Sequence, residues 1–316
     1  NVRGGTPPGS TIKPFVALAG LESGLRKPDD KIFSSGEFFL PGQRRGYRDS
    51  HKGGHGWVDL YSSISESVNT YYYKLALDLG INKFDFYMRR YGFGQPTGID
   101  LIGEASGILP SPEWKQKRFK QTWYTGETVI AGIGQGYWVV TPLQLVQATA
   151  SLANGGQRIP LRIVKQTHTG VNQPWVNLQQ PKSTSIGASK EQLEAVKRGM
   201  METMQSRRGT GYAIGLNAPY LIAGKTGTVQ KISRKGNVSV DPKQLPLHLR
   251  HQALFIGYAP ADNPKIAVMV IVEHGGYGSS SAGPIARNRM QACLLPTPEE
   301  LPYQETSQEQ AKVQQP

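Results

Sequence analysis

Ser10 and Lys13 stand three residues apart at the head of the run TIKPFVALAGLESG, in which small and apolar residues recur at helical spacing. At a helix start, positions i and i+3 share one face, so the hydroxyl and the amine come within reach of each other. That pairing suits nucleophilic catalysis, because a serine hydroxyl is a weak nucleophile at neutral pH and needs a neighbour to take its proton. Lysine can act as that base only where burial or a second cation lowers its pKa. Alone the pattern is weak: S-x-x-K arises about once by chance in a chain of this length. Ser10 could equally cap the helix while Lys13 extends into water. Two further motifs change the balance. Ser67-Val68-Asn69 puts a hydroxyl and an amide two residues apart in a stretch read as helix, and Lys225-Thr226-Gly227-Thr228 lies on a stretch read as strand. K-T-G is expected by chance in about one chain in ten of this length. The three motifs each occur once, in that order, and the ordered set is far more specific than any member.

A second group, Asp30, Asp49, His51 and His55, falls in a segment without periodicity and carries oxygen and imidazole donors that zinc could use. Cys293 is the only cysteine, which excludes an internal disulfide and any multi-cysteine metal cluster. No cofactor and no metal are expected. The 316 residues carry a formal charge of +13, which favours polyanions. The basic residues are scattered, however, and no RNP-like or zinc-finger motif accompanies them, so no nucleic-acid partner is expected. No apolar run is long enough to span a bilayer, and the opening NVRGGTPPGS has no hydrophobic signal core. Any anchor or export signal is therefore expected outside this sequence.

The elements that must position the motifs follow from pattern. The serine helix should close near Gly20 or Gly24, with Pro14 tolerated in its first turn. Residues 29 to 57 read as a long irregular excursion. Residues 59 to 155 read as mostly helical, in DLYSSISESVNTYYYKLALDLG, NKFDFYMRRYG and TPLQLVQATASLANGG, the last opened by Thr141-Pro142. A polar segment from about Lys165 to Ser189 precedes the helix KEQLEAVKRGMMETMQ and the strand LIAGKTGTVQ. ALFIGYAP and KIAVMVIVEH then read as a hairpin turned at Ala261-Asp262-Asn263-Pro264. A last helix over 282–294 should pack on that sheet, and the Gln-, Glu- and Pro-rich residues 297–316 read as a disordered tail.

The ordered trio resembles that of β-lactamases and penicillin-binding proteins. The resemblance extends from Pro7 to about Leu294 through PPGSTIKPFVAL, YRDSHKGGHG, SESVNTYYYKLALDLGI, YGFGQPTGIDLIGEASGILPSPEWK, GETVIAGIGQG, TPLQLVQA and AGKTGT. The chain is similar to the elongation-type class B penicillin-binding proteins. That similarity implies an α/β fold in the mixed sense: an antiparallel sheet covered by helices, plus a helical lobe carrying Ser67 and Asn69, within one transpeptidase domain over residues 1–296. It implies that Ser10 attacks the penultimate D-alanine carbonyl of a stem pentapeptide with Lys13 as base, that Ser67 relays a proton to the leaving amine, and that Asn69 holds the substrate amide. Lys225 would add positive potential near the substrate carboxylate, which Thr226 and Thr228 would bind through their hydroxyls. The N–H groups of Ser10 and Thr228 would form the oxyanion hole, and Gly227 would leave room for substrate along the strand. Implied partners are the D-Ala-D-Ala stem peptide, β-lactam antibiotics and a RodA-type glycosyltransferase of the elongation machinery, at the periplasmic face of the bacterial inner membrane.

Two departures stand out. Some relatives bind zinc through two aspartates, a histidine and a cysteine; Asp30, Asp49 and His55 match, but Val68 occupies the cysteine position. The family's sheet also begins with strands preceding the serine helix, and only nine residues precede Ser10 here. A β-lactamase is disfavoured because no E-x-x-L-N pattern supplies a deacylating glutamate; Glu104 and Glu127 read as structural. A D,D-carboxypeptidase shares every motif, and a non-catalytic β-lactam sensor or scaffold would be expected to have lost one.

Overall fold

The computed structural model describes residues 2–179, 181–229 and 246–295. The expected tail over 297–316 lies outside them. Along the chain, a 3-10 turn, Gly9–Ile12, leads into α1 (Lys13–Glu22). The segment expected to be irregular contains two short antiparallel pairs, β1 (Ile32–Ser34) with β4 (Gly56–Val58) and β2 (Glu37–Phe38) with β3 (Tyr47–Arg48). Helices α2 (Leu60–Ser65), α3 (Asn69–Arg90), α4 (Pro112–Phe119), α5 (Thr125–Ala131) and α6 (Pro142–Ala153) follow. Just ahead of the polar segment, β5 (Gln157–Arg158) pairs with β8 (Thr184–Ser185) inside it, and the segment itself holds the pair β6 (Gln166–Thr167) with β7 (Val176–Asn177). Then come α7 (Lys190–Gln205), α8 (Tyr212–Gly215), β9 (Ala223–Val229), β10 (Gln252–Ala259), β11 (Ile266–Val272) and α9 (Ala282–Leu294).

Local chemistry accounts for most of these boundaries. Asp59, Thr141 and Ser189 each cap a helix in a reciprocal box with Ser62, Gln144 and Gln192, and Pro14 and Pro142 sit in first turns, where their missing N–H costs nothing. Where a single helix was expected from Asp59 to Gly80, the chain breaks at 66–68. Ser67 adopts φ 60 and Val68 is extended, so α2 and α3 are separate and Ser67 lies in the turn between them. Gly80, at φ 69 and ψ 157, interrupts α3 where the sequence also changes pattern.

Helix α1 is the centre of the molecule. Phe15, Val16, Ala17, Leu18 and Ala19 are all at most 1% exposed, as expected for a helix that is apolar on every side. It packs against α3, α7 and α2, and the preceding 3-10 turn packs on β9. Phe15 meets Phe93 edge-to-face at 5.2 Å, and Phe93 meets Trp138 the same way at 5.8 Å. Strands β9, β10 and β11 form an antiparallel sheet in the order β11-β10-β9, with Lys225 opposite Ile256 and Ala259 opposite Ile266 across the expected hairpin. Helices α6 and α9 cover β10 and β11, α7 and the 3-10 turn pack on β9, and among the described residues β9 pairs with β10 alone and is an edge strand. The expected mixed architecture of sheet, covering helices and helical lobe is present.

The serine turn is fitted through glycines. Gly9 (φ 52) donates its N–H to Gly134 O at 2.9 Å, and Gly134 itself adopts φ 70 with its α-carbon against the Gly9 backbone. A Cβ at Gly134 would lie inside van der Waals contact of Gly9 O, whereas Gly155, also left-handed at φ 61, has nothing within 4 Å of its Cβ direction. Gly155→Ala should therefore cost only the conformational penalty of about 1–2 kcal/mol. Gly134→Ala should cost more, because backbone atoms cannot move aside. Paired thermal unfolding of the two variants checks this, and equal losses would show that Gly134 has no packing role.

Candidate active site

The first wall of the site is the serine turn. Lys13 N–H bonds back to Ser10 O, three residues away, and in a 3-10 turn positions i and i+3 eclipse. Ser10 and Lys13 thus share a face, through a tighter turn than the α-helix expected for them. Ser10 is partly exposed, and Lys13 is completely buried. The Lys13 ammonium nitrogen donates to Ser67 O at 2.6 Å, to Asn69 Oδ1 at 2.6 Å and to Ser67 Oγ at 3.2 Å, and lies 5.4 Å from the centre of the Tyr72 ring. Burial lowers its pKa to about 7, against the opposing charge of Asp49. Such an amine is partly neutral at physiological pH, so it has a lone pair to offer.

The second wall is the α2–α3 turn. Its left-handed Ser67 is a strained conformation for a residue with a side chain, and it aims both the Ser67 carbonyl and hydroxyl at Lys13. Asp49 holds the other side of the turn. Its carboxylate accepts from Asn69 N (3.0 Å), Thr70 N (2.9 Å) and Thr70 Oγ1 (2.9 Å), capping α3 in place of the apolar Val68. Asn69 Nδ2 donates to Arg48 O at 3.3 Å, which turns its oxygen toward Lys13. Burial pushes the Asp49 carboxyl upward, but His55, the Lys13 charge and the Thr70 and Asn69 amides outweigh that and hold it well below the usual carboxylate range. His55 Nε2 stands 3.6 Å from Asp49, an electrostatic contact too long for a hydrogen bond, while its Nδ1 reaches Glu66 at 3.0 Å, and Glu66 also pairs with Arg208 at 2.8 Å. The possible zinc ligands are therefore divided. Asp49 and His55 come together, but Asp30 turns back to accept from Lys27 N at 2.7 Å, and no group of three or more metal-ligating side chains assembles among the described residues.

The third wall is β9. Lys225 is fully buried on the face of the strand that looks toward α1, donates to Thr226 O at 3.1 Å, and has its pKa pushed well down by burial and then by the charge of Lys13. Thr226 and Thr228 alternate onto the opposite face; Thr226 is nearly buried and Thr228 partly exposed. A Cβ on Gly227 would meet Thr11 Cγ2 at 2.7 Å and Leu254 Cβ at 3.1 Å, and so would press on the serine turn. The glycine is needed to seat that turn on the sheet. A Cβ on Gly9 would in turn stand 3.0 Å from Thr228 O, so the residue before Ser10 abuts the residue after Gly227.

The structure thus places Ser67 and Asn69 on the Lys13 amine, one 3-10 turn from Ser10, with Lys225, Thr226, Gly227 and Thr228 on the adjoining strand. Sequence reasoning missed Asp49 as the clamp on α3, Gly134 beneath the serine turn, and Thr210, whose hydroxyl lies 2.7 Å from that of Thr226. Only Gly134, in the A-G-I-G-Q-G run, carried a visible signal. Glu104 and Glu127 are structural as expected: Glu104 accepts from Thr97 and Gly98, and Glu127 pairs with Lys115 and caps α5.

Comparison with known proteins identifies the family. The family described as the penicillin binding protein transpeptidase domain matches residues 2–291. Peptidoglycan D,D-transpeptidase MrdA of Haemophilus influenzae is 40% identical over 298 residues, covering 92% of this chain and 45% of the relative. The crystal structure of Pseudomonas aeruginosa PBP2 in complex with WCK 5153 superposes with a TM-score of 0.81 at 43% identity, over 95% of this chain and 64% of that one. PBP2 of Helicobacter pylori, solved as a complex with MreC, gives 0.79 at 31% identity, over 91% and 49%. The chain spans a little under half the length of the curated relative it matches. With the fold, the ordered motifs and the family match all in agreement, the chain belongs to the penicillin-binding protein transpeptidase family.

Proposed function

We propose that this chain is the catalytic part of a peptidoglycan D,D-transpeptidase of the elongation type, acting through a serine acyl-enzyme at Ser10 and inhibited by β-lactams. The observation that carries the reading is the buried Lys13 amine, held near neutrality on Ser67 and Asn69 and one 3-10 turn from a partly exposed serine. Neutral Lys13 takes the Ser10 proton as Oγ attacks the penultimate D-alanine carbonyl. The resulting oxyanion is stabilised by the N–H groups of Ser10 and Thr228. The tetrahedral intermediate collapses by breaking the bond to the terminal D-alanine, whose nitrogen takes a proton from Ser67 Oγ, and Lys13 returns its proton to Ser67. The amine of a second stem peptide then attacks the Ser10 ester; it loses a proton by the same relay, and Ser10 regains one as it leaves.

The edge position of β9 suits a substrate that lies extended and adds to the sheet. Burial and the nearby Lys13 keep Lys225 short of its charge, and an arriving carboxylate favours its ammonium form. A place at the periplasmic face of the inner membrane and a RodA-type glycosyltransferase partner belong to the same proposal, as does an elongation-complex component such as the MreC bound to the Helicobacter pylori relative.

Intact mass before and after exposure to a stoichiometric penicillin tests the core of the proposal. The wild type should gain one drug mass and Ser10→Ala none; rapid turnover of the drug would indicate a β-lactamase, and no adduct a scaffold. The base must be neutral to act, so the acylation rate should rise with pH through about 7 and level off above it. Because the Asp49 charge raises the Lys13 pKa, Asp49→Asn should move that midpoint to lower pH. Losing the charged cap on α3 should also destabilise the fold by about 1–3 kcal/mol. A pH-rate series on both proteins reads the first effect and thermal unfolding the second; an unmoved midpoint would remove Asp49 from the electrostatics of the base.

A further inference from the structure

The structure assigns to Thr210 a positioning role: its hydroxyl donates to Thr226 Oγ1 and so directs the single Thr226 proton toward the carboxylate of the bound substrate. This rests on the transpeptidase reading above. The two hydroxyl oxygens are 2.7 Å apart, and from that distance alone either could be the donor. The ligand chemistry decides. A carboxylate only accepts, so a Thr226 hydroxyl that binds it must spend its one O–H there, and its oxygen is then left to accept. The Thr226 carbonyl is already engaged by Lys225 Nζ at 3.1 Å. Thr210 is the side chain the structure places on Thr226 Oγ1 to supply that proton.

The backbone around Thr210 is built to hold it there. Thr210 N–H donates to Ser65 O at 3.0 Å, at the end of α2 and two residues before the catalytic Ser67. Gly211 N–H donates to Thr203 O at 3.0 Å and Gly209 N–H to Ser206 O at 2.8 Å, which pins the turn to the last turn of α7 and its C-cap residue. A Cβ on Gly209 would meet Glu202 O at 2.6 Å, so the turn closes too tightly for any other residue. Arg208 adds its ion pair to Glu66 at 2.8 Å. One residue thus bonds the end of α2 through its amide and the Thr226 hydroxyl through its own.

The test is acylation of the intact protein by benzylpenicillin and by its methyl ester, in wild type, Thr210→Val, Thr210→Ser, Thr226→Val and the double variant Thr210→Val with Thr226→Val. Loss of a hydrogen bond that supports a charged contact should weaken the initial complex of Thr210→Val with the free acid about five- to tenfold. The acylation rate constant and the ester should be unchanged, Thr210→Ser should restore the acid, and the double variant should be no worse than Thr226→Val. Equal losses on acid and ester, no rescue by serine, or additive losses in the double variant would each overturn the role. Should the valine variant fail to fold, Thr210→Ala reads the same loss with less bulk. A wild type that forms no adduct with either compound would instead sink the transpeptidase reading, and this inference with it, whereas normal acylation by an indifferent Thr210→Val sinks the inference alone.

Discussion

Lys13 is held by dipoles rather than by a counter-charge, and the rest of the site depends on that choice. An amine buried in an apolar core loses its hydration, and the ammonium form loses far more than the neutral one. A carboxylate in direct contact would restore the charge and remove the basicity. Here the contacts are a carbonyl, a hydroxyl and an amide oxygen, which satisfy the donors without neutralising them. Asp49 is close enough to moderate the shift but reaches Lys13 only through the helix terminus that it caps. The result is an amine poised near neutral pH.

That arrangement dictates the packing. Complete burial of Lys13 requires α1 to be apolar on all sides and enclosed by α2, α3 and α7, and its first turn to be pressed against a strand. Close approach of backbones then falls to glycine: Gly227 where β9 meets Thr11, and Gly134 where the segment after α5 meets Gly9. The strained Ser67 sits where its carbonyl and hydroxyl are both turned to the amine. Strain of this kind persists only when its surroundings over-determine it. The Asp49 clamp on Asn69 and Thr70 and the Thr210 bond to Ser65 are those surroundings, one on each side of the turn.

Much of this was legible in the chain because it is written in local signals. The capped starts at Thr141 and Ser189, the hairpin through Asp262 and Asn263 and the final helix are all where pattern puts them, since each depends on neighbours within a few residues. The motif residues could be picked out because their order is improbable by chance. Other features needed the third dimension. Helical periodicity runs unbroken from Leu60 to Leu79, so nothing local announces that Ser67 leaves the helix; the bonds that pull it out come from Lys13, fifty-four residues away. Strand alternation tells that Lys225 and Gly227 share a face but not that this face looks at the serine turn, so the fit of Gly227 against Thr11 had no local signal. Asp49 resembled a metal ligand in sequence because the same carboxylate that can hold an ion can hold the N-terminus of a helix; both are positive ends seeking an anion.

The edge position of β9 unites these observations. An unpaired strand edge is ordinarily a liability, since its free N–H and C=O groups invite another chain. Under the proposed function that invitation is the means of binding, because the proposed substrate is itself an extended peptide. An edge is useful only if its distance from the nucleophile is fixed, and the strand cannot fix it through hydrogen bonds on the side it must leave open. The fixing is done from beneath, where Gly227 lets the serine turn sit directly on the strand, while Thr210, bonded to Ser65 at the end of α2, meets the Thr226 hydroxyl from the side. Both devices keep the open edge clear, and both place the restraint beside Ser10 and Ser67 rather than on them, which suits the proton exchange proposed for those hydroxyls.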